Sequence, residues 1–173
     1  MNIFFLDLDP EKASKMHVNK HVVKMVLEHL QILCTTHHVS GSKNKDFIPP
    51  YKKTHINHPC NIWVRESLSN YLFLITFTEE LLKEYTYRYG KTHKCESYIQ
   101  LMKDNLPNIE DIGFTKPAQA MPDQYKNPDN AIEAYKNYYF FGKQHIHSWK
   151  NRDIPEFIVK MEEIYECSKF TYL

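Results

Sequence analysis

Val18-Asn19-Lys20-His21-Val22-Val23-Lys24-Met25-Val26-Leu27-Glu28-His29-Leu30-Gln31-Ile32-Leu33-Cys34-Thr35-Thr36 is the stretch that decides the fold. Val18, Val22, Met25, Val26, Leu30 and Leu33 recur at helical spacing, which predicts a helix over about 18–36. Val23, Leu27 and Ile32 are apolar as well, so most of its circumference is hydrophobic and the helix should be buried. One polar stripe interrupts it. His17, His21, Lys24, Glu28 and Gln31 are spaced four, three, four and three residues apart and share one face. On a buried helix that stripe is either a polar network or the wall of a pocket; on an ordinary solvent face it would be a simple Lys24–Glu28 pair.

Reading outward, residues 3–8 form a short apolar run expected to enter the core extended. Asp9-Pro10-Glu11 has the N-cap, first-turn proline and early acid of a helix start. Residues 39–56 are a polar, basic loop, after which Asn57-His58-Pro59 restarts a helix. The run 60–89 is too long for one ordinary helix, so a break is expected near Ser67-Leu68-Ser69-Asn70 and a stop at Gly90. Thr92 is placed to cap a helix reaching about residue 104. After a loop from Pro107 to Asp123, Asn127-Pro128-Asp129 should open a helix to Phe141, stopped by Gly142. Pro155 begins a last helix, with Glu156 in its first turn and Lys160 and Lys169 beyond. Only four glycines disfavour an all-β chain rich in tight turns. The expectation is an all-α, compact helical bundle, a single domain over 1–173.

Composition limits the function. The 173 residues are 42% apolar with four glycines and nine prolines, which excludes collagen-like and wholly disordered chains. No run approaches the roughly 18 apolar residues of a membrane span. Met1-Asn2-Ile3-Phe4-Phe5-Leu6-Asp7 has no basic region before its apolar residues, unlike a signal peptide. Cys34, Cys60, Cys95 and Cys167 contain no C-x-x-C and fit reduced thiols in a cytoplasmic compartment. A net charge of +1 excludes an indiscriminate polybasic coat but not a local basic groove. Residues 1–60 hold eight lysines against five acids, and seven of the ten histidines.

Several residues could carry chemistry. A desolvated Lys24 would hold its proton less firmly and expose a nucleophilic amine, while Glu28 shuttles protons and, by its charge, opposes that loss. Asn57, His58 and Trp63 stand at a helix start, where free backbone N–H groups attract phosphate; simple capping, with Trp63 in the core, is the alternative. Glu84–His93 and Tyr135–Lys143, the latter followed by His145, His147, Trp149, Lys150 and Arg152, interleave aromatics with cations. That pattern suits stacking on bases and contact with phosphate, although tyrosines at helical spacing also build cores. His17 and His21, with His58 or His93, are the best metal candidates. No H-E-x-x-H accompanies them, so no metal and no cofactor are expected.

Asn19-Lys20-His21-Val22-Val23-Lys24, then Glu28 and Gln31-Ile32-Leu33, resembles the D-R-R-L-x-K-x-x-x-E-x-x-Q-I-L signature of bacterial proteins grouped with pyrimidine-dimer DNA glycosylases. Asn57-His58-Pro59 and Trp63 resemble that family's N-H-P and following aromatic, and Glu84–Gly90 its aromatic- and Arg-containing turn. Tyr135–Lys143 loosely resembles the W-Y-K-Y-Y-G-K tail of the phage endonuclease V type. The whole chain is similar to small proteins carried by large phages, which implies a viral protein working in the host cytoplasm.

The resemblance implies a compact, metal-free helical fold and a glycosylase/AP lyase that removes a damaged base through a Schiff base and then cleaves the strand. In the phage enzyme the nucleophile is the amine of a threonine exposed when the initiator methionine is removed. Here residue 2 is Asn2, so the Met1 amine is the nearest counterpart. Because Asn2 departs from that threonine and the bacterial signature contains this lysine, Lys24 is expected to be the nucleophile rather than Met1, or else an electrostatic partner, with Glu28 the proton shuttle and Gln31 orienting Glu28 or the base edge. His21 and His58 would contact phosphate or the opened sugar, with His17, Asn57 and Trp63 also at the substrate. Arg88, Lys136 and Lys143 would hold the DNA backbone, and Tyr138 and Trp149 would stack. DNA with a damaged or modified base is the expected partner. An enzyme on free modified nucleotides or nucleosides, or a non-catalytic binder of nucleic acid or a host protein, would share the fold.

Overall fold

The structure, a computed structural model, describes residues 1–170 and the side chains of residues 1–167, so Lys169 lies outside the described side chains. Among the described residues there are seven α-helices and no strand; Ser42 and Pro107 form an isolated bridge. Asp9 caps α1 (Pro10–Met16) by accepting from the backbone N–H groups of Glu11 and Lys12. The stretch quoted first becomes α2 (Asn19–Ser40), longer than its apolar period suggested. Thr35 and Thr36 bond back to the carbonyls of Gln31 and Ile32 and stay helical, and Gly41 at φ 76° ends the helix.

His58 caps α3 (Pro59–Glu66), its Nδ1 accepting the Cys60 N–H at 3.2 Å. The break falls at Ser67, which is extended; its hydroxyl donates to Asp111 and accepts from the Ser69 N–H to start α4 (Leu68–Tyr89). Gly90 stops α4 in the left-handed conformation at φ 62°. Two starts differ from expectation. Thr92 caps nothing: His93 Nδ1 takes the Cys95 N–H, and α5 (Glu96–Asp104) begins after it. Asn127 accepts from Asp129 and Asn130 in a turn, leaving Asn130 to cap α6 (Ala131–Gly142). Gly142 is the last helical residue rather than the stop, for a packing reason. A Cβ there would lie 2.6 Å from the Tyr138 ring. The last helix is α7 (Glu156–Phe170).

Packing is centred on α2 and α4, with α1, α3 and α5 against them. Ile3, Phe4, Phe5 and Leu6 are at most 4% exposed and thread into this core as an extended segment. Burying each such side chain is worth about 1.5–3 kcal/mol. Asn2 pins the segment. Its Nδ2 donates to Ala120 O at 2.7 Å, and its Oδ1 accepts from the Tyr135 hydroxyl at 3.0 Å. This is what carries Met1 to α2. Cys34, Cys60 and Cys95 are buried without disulfides, and burial pushes each thiol up, Cys60 to about 12. Among the described residues no helix is long and apolar enough to cross a membrane.

Candidate active site

Glu28 is the centre of the site. It is 8% exposed, and three nitrogens converge on it. Oε2 accepts the Asn2 N–H at 2.9 Å and faces the Met1 amine at 3.3 Å, while Oε1 lies 3.3 Å from Lys24 Nζ. The carboxylate, the amine and Lys24 line a cavity of about 260 Å³ whose other walls include Phe4, His21, Ala120, Tyr138 and Lys143. Three cations, Met1, Lys24 and Lys143, thus face one anion. The excess positive charge suits an anionic ligand such as a phosphate ester.

His21 is the neutral polar group of this cavity. Burial, followed by the charges of His17, Lys143 and Lys24, pushes its ring down to about 2. Tyr139 fixes the ring: its hydroxyl accepts from the Val18 N–H and lies 2.5 Å from His21 Nδ1. The buried hydroxyl has no acceptor for its own proton other than Nδ1 among the described contacts, which puts the ring proton on Nε2. Phe4 stacks on the same imidazole, centroids 4.2 Å apart. Lys143 Nζ stands 4.9 Å from the Tyr138 ring centroid, and Tyr138 leans on Tyr125. His58 sits beside the site: burial, then the positive Met1 amine, lowers its ring from the ordinary value.

The structure therefore gathers Lys24, Glu28, His21, Tyr138 and Lys143 and corrects several other expectations. Lys24 is not desolvated. Its side chain is 68% exposed, because the segment that covers Glu28 stops short of the preceding turn. His17 is fully buried, its Nδ1 2.7 Å from Ala13 O and its Nε2 without a partner, so it is core rather than a substrate contact. Trp63 is also core, packed on Phe5, Phe73 and Phe114. Arg88 is 1% exposed and cannot hold a backbone phosphate: Nε donates to Glu84 at 2.6 Å, Nη1 to Asn19 and Nη2 to Lys15 O.

The remaining candidates lie outside the cavity lining. Gln31 is half-buried one turn beyond Glu28, and Asn57 is an exposed residue ahead of the His58 cap. Lys136 lies over Phe157, 5.6 Å from its centroid, and Trp149 donates to Met16 O at 2.9 Å. Sequence reasoning missed Asn2, Phe4 and Ala120. A polar Asn2 directly ahead of four apolar residues was the available signal. Among the described residues, no three His, Cys, Asp or Glu side chains converge as a metal-ligand set.

No protein-family model, curated protein or solved structure matches this chain. The arrangement must be read from its own chemistry. An amine held against a carboxylate can add to a carbonyl while the carboxylate carries protons. The surrounding lysines can bind the anionic groups that flank that carbonyl.

Proposed function

We propose that this cavity performs amine–carbonyl chemistry on the C1′ carbon of a deoxyribose, as a DNA glycosylase/AP lyase. The supporting observation is the Met1 amine held 3.3 Å from the buried Glu28 carboxylate in a cation-lined cavity. The Met1 ammonium gives its proton to Glu28, and the free amine adds to the C1′ aldehyde of a ring-opened abasic sugar. Glu28 protonates the resulting hydroxyl, water leaves, and a protonated imine forms. Loss of a C2′ proton to Glu28 then drives its electrons toward C3′, and the C3′–O bond breaks to release the 3′ phosphate. With a damaged base still attached, the amine displaces that base from C1′, and the base departs with a proton.

Between the two amines, Met1 has the stronger support. Lys24 is exposed, which removes the argument from desolvation, and α-amines as a class are less basic than lysine side chains. Lys24 acts instead on Glu28 Oε1 and on substrate phosphate. His21 offers a neutral hydrogen bond to the opened sugar. Glu28 is 8% exposed and cannot reach the sugar of a nucleotide stacked in a duplex, so the target must leave the stack.

Borohydride reduction is the test. With DNA carrying an abasic site it should leave a stable cross-link, and mass spectrometry should place the label on the tryptic peptide 1–12. Label on Lys24 would move the nucleophile there. No cross-link on abasic or damaged DNA would overturn the lyase reading.

A further inference from the structure

Residues 16–27, 85–95 and 136–152 contain no Asp or Glu, although the 22 basic and 21 acidic residues of the whole chain nearly balance. The fold joins these three stretches on one face. The Asn19 N–H donates to Ser148 O at 2.8 Å, and Asn19 Oδ1 accepts from the Lys150 N–H at 2.8 Å. His93 Nε2 lies 3.1 Å from Val23 O. Lys20, Lys91, Lys94 and Lys150 are all exposed here, and the acidic residues Glu156, Glu162 and Glu163 are gathered instead on α7.

A continuous strip of rings crosses this face. Lys150 Nζ stands 5.3 Å from the Tyr89 centroid, Tyr89 is 5.0 Å from Tyr85, and Tyr85 meets His93 edge-on at 4.9 Å. His93 reaches Val23, the neighbour of Lys24 at the cavity. Tyr85, Tyr89 and His93 are each half-buried, the two tyrosines resting against the core. A cation stands at each end of the row, Lys150 at Tyr89 and Lys24 next to Val23.

We infer that this strip binds single-stranded DNA, with bases stacked on Tyr85 and Tyr89, phosphates on Lys20, Lys91, Lys94 and Lys150, and the strand leading to the cavity. Deoxyribose as the sugar rests on the lyase reading; the strip and its charge do not. Ring faces become available to protein aromatics only when bases are unpaired, so a row of partly exposed rings selects a single strand over a duplex. Of the acids that flank these stretches, Glu28 and Glu84 are paired with Lys24 and Arg88, and the exposed Glu96 acts on His93.

Fluorescence anisotropy of labelled single-stranded and duplex 12-mers tests this. The single strand should bind more tightly, and its log–log salt slope should shrink by about 2 in Lys91→Gln/Lys94→Gln/Lys150→Gln, at roughly 0.7 per lost contact. Tyr85→Ala should weaken binding about tenfold while Tyr85→Phe, which keeps the ring, does not. A control, Lys43→Gln/Lys45→Gln/Lys52→Gln in the other basic loop, should bind as the wild type. Tighter binding of the duplex, an unchanged slope in the first triple variant, or equal competition by polyglutamate would overturn the inference. Borohydride trapping of free 2-deoxyribose 5-phosphate separates the two readings. Trapping without strand binding removes the strip and keeps the cavity chemistry, whereas strand binding without trapping does the reverse.

Discussion

The Tyr139 hydroxyl bridges the start of α2 and the cavity, taking the Val18 N–H on one side and lying 2.5 Å from His21 Nδ1 on the other. A single oxygen thereby sets the tautomer of a buried imidazole. Tyr139→Phe would leave two buried polar groups unpaired, at a cost of about 1–3 kcal/mol. For a chain of this size that lowers Tm by roughly 3–10 °C, measurable by calorimetry. A variant melting like the wild type would remove this role from the hydroxyl.

Acid sensitivity follows from four histidines. Burial lowers His17 and His37 to about 4, His29 to about 3 and His21 to about 2, from 6.5. Below pH 6.5 the unfolded chain binds protons that the folded chain refuses, so stability falls as pH falls, by up to about 1.4 kcal/mol per unit per histidine. Urea midpoints should be flat from pH 7 to 8 and drop steeply between 6.5 and 4. His29→Leu should flatten that drop, because His29 Nε2 is buried without a partner and the replacement has nothing to titrate.

Arg88 and Glu84 form a structural pair, completed by Arg152 at 2.8 Å from Glu84 Oε2. Arg88→Ala would leave Glu84 to Arg152 alone and unpair Lys15 O, at a cost of about 1–3 kcal/mol. Chemical denaturation should show that loss. An arginine acting on DNA instead would show weaker binding with unchanged stability.

Gly142 is where the Tyr138 ring lies against the end of α6. Gly142→Ala puts a Cβ into ring atoms at 2.6 and 2.7 Å, so Tyr138 must shift away from its place in the cavity wall. The expected outcome is a folded protein about 1–3 kcal/mol less stable, with reduced imine trapping. Trapping at the wild-type level would mean that Tyr138 has no part in holding the substrate.

An extension placed ahead of Met1 tests the amine directly. It converts the amine into an amide and removes its ion pair with Glu28. Trapping should disappear, whereas Lys24→Gln should reduce it without abolishing it. The reverse pattern would return the nucleophile to Lys24.

Local signals were legible in the sequence and remote ones were not. Asp9, His58, the Ser67 break and Gly90 act within a few residues, and each structures its helix end as its type dictates. The α2 stripe was visible too, but its members diverge in burial because a segment 26 residues away covers Glu28 and not Lys24. Arg88 looked like a surface cation because Arg152, which shares Glu84 with it, lies 64 positions further along. Trp63, read equally as site or core, is core because Phe114 and Thr115 return over it from a loop with no periodic pattern.

The pinning of Asn2 to Ala120 and Tyr135 has a consequence during synthesis. Ile3, Phe4, Phe5 and Leu6 leave the ribosome well before part of their shelter, which is encoded more than a hundred residues later. At about 5–20 residues per second, that apolar segment waits on the order of ten seconds before it can dock. Until Tyr135 emerges the nascent chain carries this apolar segment without its full shelter. The cavity, which borrows Met1 from that end, is assembled among the last parts of the molecule.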